Sequence, residues 1–127
     1  MQVSRREWFV RVAYGISGVV IAAPGLIGAV STQGLAKLYG LTDPGSLELA
    51  LLQHRAVLLS TVGILLLAAI WSKPLRPVAA VVAIVSNITF IGYVALHGAP
   101  AQLSTIAAVD IGLTVLLIIA ICIARRR

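Results

Sequence analysis

The sequence predicts an all-α protein: a bundle of four transmembrane helices with a short interfacial helix between helices one and two. Of the 127 residues, 60% are hydrophobic and 11% are charged, whereas a soluble domain carries about 25% charged residues. The apolar residues fall into four runs, each close to the roughly 20 residues that cross a bilayer. Because the connections between runs are short, we expect residues 1–127 to form a single domain.

The first helix is predicted over about residues 8–30. Its apolar run extends from Val12 to Ala36 without a charge, which is longer than the 7–15 apolar residues of a cleaved signal peptide. Gly18 and Ala22 form a small-xxx-small pair, which allows close approach of a second helix. Packing inside the bundle is the favoured interpretation, and a homodimer contact is the alternative.

The interfacial helix is predicted between Ser31 and Thr42. Three apolar side chains recur there at helical spacing, with polar side chains between them. The apolar ones are Leu35, Leu38 and Tyr39. A short helix with one apolar face is typical of a segment that lies at the membrane surface.

Helices two, three and four are predicted over about residues 44–71, 74–96 and 100–124. Local boundary signals separate them: Asp43-Pro44, Ser72-Lys73-Pro74 and His97-Gly98-Ala99-Pro100. Asp43 suits an N-cap and Pro44 suits the first turn that follows it. The other two breaks, of three and four residues, each end one helix and start the next.

The basic residues predict the orientation. Eight of the ten lie at the N-terminus, in the loop between helices two and three, or at the C-terminus: Arg5, Arg6, Arg11, Lys73, Arg76, Arg125, Arg126 and Arg127. Such residues stay on the cytoplasmic side, so we expect a multi-pass protein of the inner (plasma) membrane with both termini cytoplasmic. Since these charges flank apolar runs, the net charge of +6 does not indicate nucleic-acid binding.

A few polar side chains fall inside the predicted spans, and they form the candidate site: Glu48, Gln53, His54, Arg55, Asn87 and Asp110. A charged group there costs at least about 2.5–3.5 kcal/mol on insertion scales, so it usually faces the interior and has a partner. At about 1.5 Å rise per residue, Arg55, Asn87 and Asp110 reach one level on three helices. We therefore predict an Arg55–Asp110 ion pair with Asn87 as a hydrogen-bonding neighbour.

The remaining polar residues refine this cluster. Glu48 lies seven positions before Arg55 and so on nearly the same helix face, nearer the outer surface, whereas His54 is rotated by about 100°. No third ligand is suitably spaced for a metal. The single cysteine, Cys122, excludes an internal disulfide and a cysteine-pair redox centre, and neither phosphate-binding nor dinucleotide motifs occur. We expect neither metal nor cofactor.

Four short stretches carry a resemblance to a known family: Leu38-Tyr39-Gly40, His54-Arg55-Ala56, Leu75-Arg76-Pro77 and Ala108-Val109-Asp110. From about Gly34 onward the chain resembles a family of small, uncharacterised bacterial four-helix membrane proteins near the DoxX-like group. That resemblance implies membrane partners in redox systems. The architecture is more loosely similar to four-helix sterol isomerases and sterol-binding proteins, but this sequence has one deep acid and no tryptophan inside the bundle.

Three functions stay open at this level. The first is a non-enzymatic binding or accessory subunit that holds a membrane lipid, another small amphiphile or a partner subunit at the polar cluster. The second is a membrane-embedded isomerase or redox-associated enzyme, with Asp110 or Glu48 as acid or base. The third is a proton-coupled transporter, and a purely structural Arg55–Asp110 pair is the alternative to all of them.

Overall fold

The computed structural model describes residues 2–98 and 100–126. Ala99, in the predicted break before the fourth helix, and Arg127, at the basic C-terminus, therefore lie outside the described residues. The helices are α1 (Arg5–Val30), α2 (Thr32–Leu38), α3 (Ser46–Ala68), α4 (Arg76–His97) and α5 (Ala101–Arg125), with a 3₁₀ turn at Lys73–Leu75. Within the described ranges there is no strand. Four helices are long and apolar enough to cross a membrane, which confirms the predicted all-α architecture.

The four long helices form a ring of antiparallel neighbours. Helix α1 packs against α3 and α5, and α4 packs against α5 and α3, so α1 and α4 face each other diagonally, as do α3 and α5. The N-terminus, the α3–α4 turn and the end of α5 meet at one end, where Arg6 Nη1 donates to the carbonyl of Arg126 at 3.4 Å. We call this the basic end.

Helices α1 and α3 make the most extensive contact in the bundle, and glycines permit it. A Cβ atom on Gly63 would lie 2.6 Å from the carbonyl oxygen of Gly18 and 2.7 Å from Cβ of Ala22. The backbones approach closely because neither position has a side chain. The small-xxx-small pair therefore serves packing within the bundle, as favoured from the sequence.

Helix α2 confirms the predicted short helix between helices one and two. Leu35 is fully buried, and it packs in a small core with Tyr39, Leu52 and Ala56, while Leu38 is 36% exposed. Helix α2 thus covers the end of the bundle opposite the basic end. The larger core, which includes Tyr14, fills the half nearer the basic end.

Helix α3 is shorter than predicted at both ends. Its N-cap is Gly45, whose N–H donates to Glu48 Oε2 at 2.8 Å, so the predicted N-cap role of Asp43 is wrong. At the other end Arg76 donates to the carbonyls of Ala69 and Ile70. After Ala68 the backbone tightens into i→i+3 hydrogen bonds, in which the N–H of Ile70 donates to Leu67 and that of Trp71 to Ala68, so the helix does not continue to residue 71.

Candidate functional site

Arg55, Asn87 and Asp110 line one cavity of about 290 Å³ between the helices. Helices α3, α4 and α5 contribute these three residues, and Pro24 of α1 and Tyr39 after α2 add to the wall. The three polar groups therefore do converge on one level, as the helical rise predicts. We call this space the Arg55 cavity.

The Arg55 guanidinium lies against aromatic rings. Its Cζ atom is 4.5 Å from the ring centroid of Phe90 and 5.9 Å from that of Tyr39. A cation over an aromatic face is stabilised by the ring quadrupole, by about 2 kcal/mol when it is shielded from water. The buried Nε atom of Arg55 has no hydrogen-bond partner within residues 2–98 and 100–126, so the rings hold the charge in place but leave a donor unsatisfied.

The predicted ion pair between Arg55 and Asp110 is not formed. Among the described residues, Glu7 accepts the salt bridges, from Arg11 and Arg76, and Arg55 and Asp110 are not within 4 Å of each other. The reason is the ring order of the helices: α3 and α5 stand on a diagonal, and the cavity lies between their side chains. Two opposite charges thus face one space without direct contact.

Asn87 contacts Asp110 as predicted, but at the backbone carbonyl of Asp110 and not at its side-chain carboxylate. Its Nδ2 donates to Thr114 Oγ1 at 3.3 Å and, at 3.5 Å, to the carbonyl oxygen of Asp110. Thr114 Oγ1 donates to the same carbonyl at 2.7 Å. In the described part of the chain the carboxylate of Asp110 has no hydrogen bond, so it is available to a molecule in the Arg55 cavity.

A second cavity, of about 520 Å³, adjoins the first on the other side of Arg55. It lies between α3 and α4, where Leu52, Phe90 and Tyr93 line it, and it shares Tyr39, Arg55 and Ser86 with the Arg55 cavity. We call it the α3–α4 cleft. The guanidinium of Arg55 therefore stands in the partition between these two cavities.

The other three predicted site residues lie outside the Arg55 cavity. Glu48 is exposed and caps its own helix. Gln53 is half-buried and its Nε2 donates to the carbonyl of Gly28 at 3.4 Å, which joins α3 to α1. His54 is exposed and lines neither cavity. Over the described residues, no group of three His, Cys, Asp or Glu side chains could hold a metal ion.

Sequence reasoning missed a polar network at the basic end. Arg76 is 7% exposed, and its guanidinium donates to both carboxylate oxygens of Glu7, at 2.7 and 3.0 Å. The hydroxyl of Tyr14 donates to the carbonyl of Arg76 at 2.9 Å. The available signal was Glu7 itself, the one acidic residue among the N-terminal arginines.

Comparison with known proteins adds no assignment, since no family model, no curated protein and no solved structure matches the chain. The resemblance to DoxX-like proteins therefore stays a prediction. What the protein does must be inferred from the chemistry of its own cavities.

Proposed function

We propose that this integral membrane protein binds a small amphiphilic molecule in the Arg55 cavity, as a binding or accessory protein and without catalysing a reaction. The observation that carries the proposal is the buried, unsatisfied Nε of Arg55. An unpaired polar group of a charged side chain in an apolar interior costs free energy. A ligand oxygen that accepts from Arg55 removes that cost, so binding is favoured at this point.

The charges in the cavity select the polar head of the ligand. The planar guanidinium of Arg55 suits a carboxylate, a phosphate or a carbonyl oxygen. The Asp110 carboxylate on the opposite helix suits a hydroxyl or amine donor of the same molecule. A head group with an acceptor at one end and a donor at the other therefore fits between α3 and α5.

The walls select an apolar body. Apart from its polar residues, the cavity is lined mainly by aliphatic side chains, among them Val20, Ile27, Leu59, Ile106 and Val109. At about 290 Å³ it is just below the roughly 300–1,000 Å³ usual for ligand sites. The adjoining α3–α4 cleft, about 520 Å³, provides room for a longer chain. A single-chain amphiphile suits this combined space better than a bulky polycyclic one.

Orientation, location and family belong to the same proposal. The basic end faces the cytoplasm, because Lys and Arg residues near span ends are retained on that side, and the membrane is a bacterial inner membrane. Arg55, Asn87 and Asp110 then lie in the outer half of the bundle, beneath α2. Membership of the DoxX-like group, suggested by sequence resemblance, adds partner membrane subunits of a redox system as candidate partners. A second copy of the chain is a further candidate, independent of that resemblance.

Native mass spectrometry after gentle extraction tests the proposal. We expect the wild-type protein to retain a small amphiphile and Arg55→Gln to lose it. His54→Gln is the matched control, since His54 adjoins Arg55 in sequence but lines neither cavity, and it should retain the ligand. Equal retention by Arg55→Gln and wild type would contradict a role for Arg55.

A second candidate function is supported by the Asp110 carboxylate, which faces the cavity without a salt bridge among the described residues. A carboxyl group that lines a cavity can act as general acid or base, as in an isomerase or a redox-associated enzyme on a lipid-soluble substrate. To separate the two functions, the retained ligand is incubated with wild type or Asp110→Asn and then chromatographed. Conversion by wild type alone would favour the enzyme, and no conversion by either would favour binding.

A further inference from the structure

The basic end carries a second pair of cavities, unrelated to Arg55. One, of about 330 Å³, lies between the start of α1, the α3–α4 turn and the end of α5. The other, of about 290 Å³, adjoins it on the outside of α1. The two share Arg6, Ile123 and Arg126. We call the combined space the basic groove.

The groove has an excess of positive charge. Arg6, Lys73, Arg76 and Arg126 line the larger cavity, against Glu7 as the acidic residue. Both carboxylate oxygens of Glu7 already accept from arginines, Oε1 from Arg11 and Arg76 and Oε2 from Arg76. Arg76 in turn is committed to Glu7 and to backbone carbonyls. The charges of Arg6, Lys73 and Arg126 are therefore left to act on an outside anion.

Apolar side chains also line the groove below these charges. Val10 and Ala124 line the larger cavity, Phe9 lines the smaller one, and Ile123 lines both. Trp8, next to the groove on α1, is 61% exposed, and tryptophan is enriched where membrane helices meet the headgroup region. The groove thus combines cations at headgroup depth with a hydrocarbon surface directly beneath them.

We propose that the basic groove binds an anionic phospholipid, with the phosphate against Arg6, Lys73 and Arg126 and an acyl chain along Phe9 and Ile123. Basic pockets between membrane helices on the cytoplasmic side are suited to acidic headgroups. A free phosphate would use the same cations, but it would gain nothing from the apolar walls. The site is separate from the Arg55 cavity, and it requires only that the chain spans a membrane with the proposed orientation, in which the basic end is cytoplasmic.

Native mass spectrometry with added lipid tests this site. The purified protein in detergent is titrated with phosphatidylglycerol or with phosphatidylcholine of the same acyl chains. We expect the wild-type protein to retain phosphatidylglycerol more tightly than phosphatidylcholine. In the double variant Arg6→Gln/Arg126→Gln, retention of phosphatidylglycerol should weaken about fivefold for each basic residue removed from the groove. The matched control is Lys37→Gln/Arg125→Gln, which removes two charges outside the groove and should keep wild-type retention.

The outcomes are distinct. Equal loss of phosphatidylglycerol in the control double variant would overturn the site in favour of general surface charge. Displacement of the lipid by millimolar inorganic phosphate would overturn the lipid in favour of a free anion. Should Arg6→Gln/Arg126→Gln fail to fold, the exposed Lys73 provides a second variant, Lys73→Gln, with the same expected direction. Arg55→Gln should retain phosphatidylglycerol, so failure of the Arg55 cavity leaves this inference standing.

Discussion

Glu7 and Arg76, 69 positions apart, form a two-hydrogen-bond ion pair with Nη2–Oε1 and Nη1–Oε2 distances of 2.7 and 3.0 Å. The same guanidinium donates through Nε to the carbonyl of Ala69 at 3.0 Å. One side chain therefore joins the start of α1, the end of α3 and the start of α4. Since it donates to two carbonyls that directly follow α3, it also holds the turn between α3 and α4 in place.

Replacing Glu7 by Gln should destabilise the bundle. The Arg76 side chain is 8% exposed and that of Glu7 is 20% exposed, so the variant leaves a mostly buried cation without its counter-charge. Breaking such a pair from one side costs roughly 3 kcal/mol. The measurement is the free energy of unfolding in mixed detergent micelles, followed by far-UV circular dichroism.

Arg11→Gln is the control for this prediction. Arg11 also bonds Glu7, at 2.9 Å, but its side chain is 41% exposed, and an exposed pair contributes about 0–1 kcal/mol. We expect Arg11→Gln to be close to wild type. If both variants lost equal stability, the burial of Arg76 would not be what makes the pair important.

Adding one methyl group at Gly63 should separate α1 from α3. The new Cβ would meet the carbonyl of Gly18 and the backbone of Ala22 at 2.6–2.7 Å, and backbone atoms cannot rotate away as a side chain could. Overpacking of this kind costs about 1–3 kcal/mol. We expect Gly63→Ala to lower the free energy of unfolding by that amount in the same detergent assay.

Gly112→Ala provides the comparison, because a Cβ there meets no atom within 4 Å. Alanine favours a helix over glycine by about 1 kcal/mol, so this variant should be neutral or slightly stabilising. A Gly63→Ala variant as stable as Gly112→Ala would show that the α1–α3 contact is looser than the structure has it.

The fold could be predicted because its signals are local. Apolar runs of membrane-crossing length gave four helices, and the leucine spacing after Ser31 gave α2, without any knowledge of neighbours. The level shared by Arg55, Asn87 and Asp110 also followed, since the rise per residue of a helix is constant. Helix ends were less predictable, because the cap of α3 depends on the carboxylate of Glu48 reaching back to Gly45.

What could not be predicted depends on which helices are neighbours. Depth along the axis placed Arg55 and Asp110 together, but the ring order puts α3 and α5 on a diagonal, and Phe90 takes the place of the expected carboxylate. Which side chain meets a buried charge depends on how each helix is rotated about its own axis. A single sequence does not specify that rotation. The pairing of Glu7 with Arg76 was missed for the same reason.

Asn87→Ala tests the polar contact between α4 and α5. Asn87 is 3% exposed and bonds Thr114, and side-chain hydrogen bonds between membrane helices average about 0.6 kcal/mol, with a maximum near 1.7. With the volume lost as well, we expect a cost of about 1–2 kcal/mol. Thr89→Ala is the control, since Thr89 is exposed and bonds within its own helix. Equal costs would argue against an interhelical role for Asn87.

The proposed orientation predicts which loops are reachable from outside the cell. In a Cys122→Ser background, which removes the one native thiol, cysteine is introduced as Lys37→Cys or Lys73→Cys. A membrane-impermeant maleimide added to intact cells should label the Lys37→Cys protein, since α2 lies at the end opposite the basic end. The Lys73→Cys protein should react only after the membrane is permeabilised, because basic loops are retained in the cytoplasm. The reverse pattern would invert the topology, and would place the basic groove on the outer leaflet.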